Sequence, residues 1–290
     1  MLGWSKKLDT AVKSLDAFVR EISTIRDEWL DDPEDELWFR GEDAKHASTA
    51  LVPELYRCDK PLSEILEMES RLFEEFKRCG VQYSEFNTED EWNWYYAMQH
   101  HGGPTRLLDW SDGSLMAAHF SMRFKDGRDK QGTDAVVYVL DPHWLGEYID
   151  DMPETKKRRK TWDAKPGSKL IPEDDRDGEY ENIWLPGLKE DFEEDPLPHH
   201  PFLLDTEQIT RRVASQRSRF MVFGSDRDFL RRILDIKHSR IKTLVIPSDC
   251  VTKFQAGIRD CGVTESVIFP DLDGMGRETK QRWHQFKSRP

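Results

Sequence analysis

Gly102-Gly103-Pro104 stands between two helical patterns, and no helix can run through it. Two glycines favour turning backbone, and the proline lacks an amide hydrogen and clashes with the preceding turn. His100 and His101 therefore fall at a helix end, and Thr105 and Arg106 emerge on a tight loop. Leu107 and Leu108 turn inward next. Asp109, Ser111 or Asp112 can cap a following run in which Leu115, Ala117, Ala118, Phe120 and Met122 read as a closely packed core helix. A loop anchored by apolar residues on both sides and carrying His, Thr, Arg and Asp is how a rigid scaffold presents a site.

The rest of the chain supplies ample material for that scaffold. Of its 290 residues 37% are hydrophobic and 11% aromatic, enough for a large core. The net charge of -13 argues against a surface that adheres generally to nucleic acid or anionic membranes. No run approaches the roughly 20 apolar residues of a membrane span, so the expectation is a cytoplasmic protein with no membrane partner. Cys58, Cys79, Cys250 and Cys261 are far apart and make no CxxC, which speaks against a disulfide framework or a structural metal.

Periodicity predicts an N-terminal helix within residues 1–30, from about Thr10 to Arg26, then a short strand at Leu37-Trp38-Phe39-Arg40-Gly41. Ile65, Met68, Leu72, Phe73 and Phe76 mark a helix stopped by Gly80, and Thr88-Glu89-Asp90-Glu91 has capping-box spacing before Trp92, Tyr95 and Tyr96. That aromatic stripe fits either a core or a stacking face for a flat ligand. Residues 134–140 read as a central strand, and 147–198 as a charged insertion or lid loop carrying the basic run Lys156-Lys157-Arg158-Arg159-Lys160. Strands near 220–223 and 243–246 alternate with short helices, and a polar helix follows residue 274. The alternation is not regular βαβ and no GxGxxG opens a helix. The expected fold is one α+β domain over residues 1–290, with a mixed or largely antiparallel central sheet flanked by helices.

Leu37-Trp38-Phe39-Arg40-Gly41, residues 99–111 and Ala117-Ala118-His119-Phe120 resemble the FRG-domain family, named for its Phe-Arg-Gly. Residues 211–220 and 262–276 resemble the family's later blocks. The family is common in bacterial and phage-associated proteins, and its block order is similar to that of ADP-ribosyltransferases. The resemblance implies an ADP-ribosyltransferase-like fold with NAD as substrate. It implies that Arg40 contacts the dinucleotide, Thr105 frames the nicotinamide and Gln216 orients the ribose, although no Glu stands at the expected place beside Gln216.

The residues themselves suit such chemistry. Cleaving a nicotinamide–ribose bond builds positive charge on the ribose while two phosphates are held. Arg40 and Arg106 can supply phosphate contacts, Gln216 a ribose hydrogen bond, and His101 or His100 a base that titrates near neutrality. Gly102, Asp109 and Trp110 complete the substrate-binding set. Each has a plainer reading: the His pair as a helix cap, Asp109 as a lock on Arg106 or a loop amide, Arg40 as a surface residue after a strand. Three functions stay open at this level. They are an NAD-dependent ADP-ribosyltransferase or effector, in phage–bacterium conflict or as a toxin; a non-catalytic nucleotide- or protein-binding module; and a His/Asp hydrolase or nuclease. No metal is expected, and the ligand is a nucleotide or dinucleotide with a protein or nucleic-acid target left open.

Overall fold

The computed structural model describes residues 9–46, 48–84, 86–123, 133–157, 184–187, 197–204 and 211–287, except the side chains of 211–213 and 285. Seven strands, β1 (Thr10–Ala11), β2 (Trp38–Glu42), β3 (Leu107–Ser111), β4 (Ala135–Leu140), β5 (Phe202–Leu204), β6 (Ser218–Val222) and β7 (Ile241–Ile246), form one sheet. Their order is β1-β7-β4-β2-β3-β6-β5. Only β1 and β7 run parallel; the other neighbours are antiparallel. This is the largely antiparallel, helix-flanked α+β sheet that the sequence predicts.

Strand alternation decides which residues face which layer. Trp38, Leu108, Trp110, Tyr138 and Leu140 pack on one face with the 50–56 segment, α5 (Pro142–Asp150) and α7 (Phe229–Ile233). Phe39, Val137, Val139 and Leu244 pack on the other with α1 (Leu15–Trp29), α4 (Ser114–Ser121) and α8 (Val251–Asp260). A third cluster lies where α2 (Leu62–Gly80) and α3 (Glu91–His100) cover the β3–β6–β5 end, with Phe73, Tyr95, Leu107, Phe220 and Val222 at its centre. The aromatic stripe of α3 is thus core: Tyr96 stacks on Phe220 at 5.1 Å, and Tyr95 meets Phe73 edge-on.

Gly41 is required by packing. A Cβ there would sit 1.9 Å from the Ala117 carbonyl oxygen, because the backbone of α4 lies directly on β2. The close approach that this glycine allows is thus made by a helix. The cap of α3 also differs from the expected one: Asp90 accepts from Trp92 N, while the Thr88 carbonyl is taken by Trp94 Nε1.

Parts of the 147–198 stretch belong to the core. Residues 147–150 finish α5, and Trp184, Leu185 and Leu197 are buried; residues 158–183 and 188–196 lie outside the described set. No helix among the described residues is long and apolar enough to cross a membrane.

One seam in the sheet matters for the site. β2 and β4 stay in register from Trp38–Leu140 to Glu42–Val136, and β3 and β6 from Leu107–Val222 to Ser111–Ser218. β2 and β3 are held in register at Phe39–Ser111. Beyond that pair no further residues of β2 and β3 are paired.

Candidate functional site

Arg40 occupies the opening. Its Nη1 donates to the Asp109 carbonyl oxygen at 2.7 Å, spanning the parted strands, and its Nε donates to Glu42 Oε1 at 3.1 Å. Glu42 lies two residues further along β2, so strand alternation sets both side chains on one face. The same Glu42 oxygen accepts from Leu51 N at 3.1 Å, which orients the carboxylate toward Arg40. Arg40 is therefore aimed from both ends while Nη2 meets no acceptor among the described residues. Tyr138 is its cross-strand neighbour on β4, and burial with the nearby Glu42 charge pushes that phenol upward. Arg57, exposed and bonded through Nε to the Val52 carbonyl, is pressed below the usual guanidinium value by burial and by the like charge of Arg40. Two cations thus share one neighbourhood.

Asp109 is the reactive-looking group. Its side chain is exposed on an otherwise buried strand, yet surrounding protein raises its carboxyl above the ordinary value against the pull of Arg40 and Gln99. Gln99 Nε2 donates to Asp109 Oδ2 at 2.7 Å, and Gln99 is itself oriented because its Oε1 accepts from the Thr105 hydroxyl. Thr105 Oγ1 in turn accepts from Leu107 N at 3.0 Å. A relay from the backbone through Thr105 and Gln99 thereby fixes the carboxylate in one geometry.

The loop that bears this relay leaves α3 as the sequence predicts. Gly103 N donates to the Met98 carbonyl (2.8 Å) and Gly102 N to that of Gln99 (3.0 Å), with Gly102 at φ 83°. This left-handed turn satisfies the last carbonyls of the helix and suits glycine. His101 is the exposed C-cap residue, and His100 is half-buried beside the Phe220 ring.

Arg106 is elsewhere. It is 1% exposed, and its Nε donates to the equally buried Glu69 at 2.7 Å. Its Nη1 donates to the Phe223 carbonyl at 3.1 Å and its Nη2 to that of Trp184. Burial opposes its charge, but Glu69 outweighs that and holds the guanidinium firmly protonated. Arg106 is thus a core clamp joining α2, β3 and the 184–187 segment. Trp110 is buried in the core as well, and Thr105 is wholly enclosed. These three lie beneath the surface that Arg40 and Asp109 reach. Gln216, at the end of α6 (Arg211–Gln216), directs Nε2 to the Ile268 carbonyl at 3.4 Å. Its backbone oxygen accepts from Ser111 Oγ, so it joins the C-terminal end of β3, two residues beyond Asp109. Arg40, with Glu42 and Arg57 near it, reaches Asp109 through the backbone oxygen, while the Asp109 carboxylate, on the sheet face opposite Leu108 and Trp110, is tied through Gln99 to Thr105; Gln216 bonds away from both groups.

A second charged centre lies near Gln216. Glu265, on α9 (Glu265–Ile268), accepts from His119 Nε2 at 3.1 Å, Arg123 Nη2 at 2.9 Å and Arg277 Nε at 2.6 Å. Against the effect of burial, these partners pull its carboxyl down to about 2. Its bonds tie α4 to the C-terminal helices, which is a structural task.

Residues 35–130 match the model of the FRG domain family. No curated protein and no solved structure matches the chain. The matched segment contains β2 with its Phe39-Arg40-Gly41, the Gln99–Thr105–Asp109 relay and α4, and so the chain carries an FRG domain over residues 35–130.

Proposed function

We propose that the opening between β2 and β3 binds a nicotinamide dinucleotide and that the protein is an NAD-dependent ADP-ribosyltransferase-like enzyme. The observation that carries this reading is Asp109, an exposed residue on a buried strand whose carboxylate is fixed by Gln99 and whose backbone oxygen holds Arg40. In this reading Arg40 and Arg57 take the diphosphate by charge-assisted hydrogen bonds, and Asp109 faces the nicotinamide ribose. The bond from C1′ to the ring nitrogen breaks, its electron pair leaves with neutral nicotinamide, and the positive charge left on the ribose is stabilised by the Asp109 carboxylate. An acceptor nucleophile then bonds to C1′ and gives up its proton, for which His101, exposed just beyond Gln99, is the group we assign. The effector or toxin role belongs to the proposal on the family resemblance alone.

The test is nicotinamide release from NAD, with transfer of labelled ADP-ribose to lysate or to the protein itself. Wild-type protein should release nicotinamide and heat-treated protein should not. NAD binding without release under any lysate condition would favour the non-catalytic binding module.

A further inference from the structure

The helix α10 (Leu272–Lys287) is packed inside out. Its polar side faces the protein: Arg277 bonds Glu265, Glu278 accepts from Ser266 N, and Gly274 is buried against Phe269. Its apolar side faces solvent, with Leu272, Met275, Trp283 and Phe286 exposed by 88%, 54%, 55% and 66%. At a helical turn of about 100° per residue these four and Thr279 fall on one stripe, and Trp283 and Phe286 stack on each other at 5.7 Å. An apolar stripe turned outward on an otherwise highly charged chain marks an interaction surface.

The layout of that stripe specifies its occupant. Leu272 and Phe286 are evenly spaced about Thr279, and so are Met275 and Trp283. Acidic Asp271 and Asp273 stand at the N-terminal end, and basic Lys280, Arg282 and Lys287 in the C-terminal half. We propose that α10 is a self-pairing helix: it docks antiparallel on the α10 of a second copy of this chain, about a two-fold axis at Thr279. That arrangement sets Leu272 against Phe286, Met275 against Trp283, and Asp271 against Lys287. Each slender aliphatic side chain meets a bulky ring, and acidic Asp271 meets basic Lys287. A parallel pair would bring like charges and like helix ends together. The contact is isologous, so it closes as a dimer.

The experiment is the solution mass of the full chain across a concentration series, with circular dichroism of each variant to establish that it is folded. Wild type should shift from 34.1 kDa to twice that mass as concentration rises. Trp283→Glu and Phe286→Glu lie on the exposed stripe, so each should keep its secondary structure while raising the dimer dissociation constant at least tenfold. Oxidised Thr279→Cys should give a disulfide mapped by mass spectrometry to residue 279 of both copies, whereas Asp260→Cys should give no such link. A wild-type chain that stays monomeric at every concentration, or a dimer unaffected by both stripe variants, would overturn the pairing. Recruitment of monomeric wild type to anionic phosphatidylserine vesicles, lost in Trp283→Glu, would overturn it in favour of a lipid surface.

Discussion

Arg106→Ala should lower the stability of the fold by about 3–5 kcal/mol, the usual result of removing one partner from a buried ion pair. The cause is specific. Glu69 would keep a charge in the core with its cation gone, and the Phe223 and Trp184 carbonyls would lose their donor. Tyr95, whose hydroxyl donates to Glu69 and accepts from Arg106 N, would be disturbed with them. Urea unfolding of wild type and variant measures this directly. The double variant Glu69→Leu with Arg106→Met should lose less than Arg106→Ala, because no uncompensated charge remains. An Arg106→Ala protein as stable as wild type would show that the residue does not clamp the core.

The second large effect concerns turnover. Asp109→Asn should reduce nicotinamide release by about 10²-fold or more, the scale seen when one preorganised stabilising group is lost from a site. The amide keeps the shape and can still bond Gln99, so NAD binding should change little. Folding should not suffer. A carboxyl whose value is raised in the fold favours the protonated form there, so its ionisation at rising pH takes stability away and a neutral Asn is tolerated. The same shift sets a pH dependence: turnover should fall as pH drops through a point above 3.8, the ordinary Asp value. A pH–rate profile of wild type checks this, and an Asp109→Asn enzyme at full speed would remove Asp109 from the chemistry.

Much of this arrangement can be read from the residues, for reasons that also mark where reading stops. The break at Gly102-Gly103-Pro104 is local chemistry, and the left-handed turn at Gly102 follows from it. The strands at 38–42 and 135–140 are apolar runs whose type needs little context. Arg40 is legible because glycine follows it, although the reason for that glycine, the backbone of α4, is a tertiary contact. Arg106 shows the opposite case. An arginine on a loop reads as a ligand contact until its partner is seen, and Glu69 is 37 residues away. A signal was present: Glu69 follows Ile65 and precedes Phe73 at four-residue spacing, which places a carboxylate on the buried stripe of α2 and calls for a cation. Glu42 was equally accessible to reasoning, since it shares a strand face with Arg40. Gln216 could not be placed from sequence, because its position depends on the pairing of β3 with β6. The outward stripe of α10 is hidden by the ordinary assumption that a helix buries its apolar side.

The account stands on the claim that the β2–β3 opening is a dinucleotide site with Arg40 at its anionic end. Calorimetric titration of NAD into wild type and Arg40→Ala tests it most directly. Wild type should bind, and the variant, folded by circular dichroism, should bind about tenfold or more weakly, since a charge-assisted contact is worth roughly 1.5–3 kcal/mol. Equal affinity in the two proteins, or no binding of NAD to wild type, would contradict it.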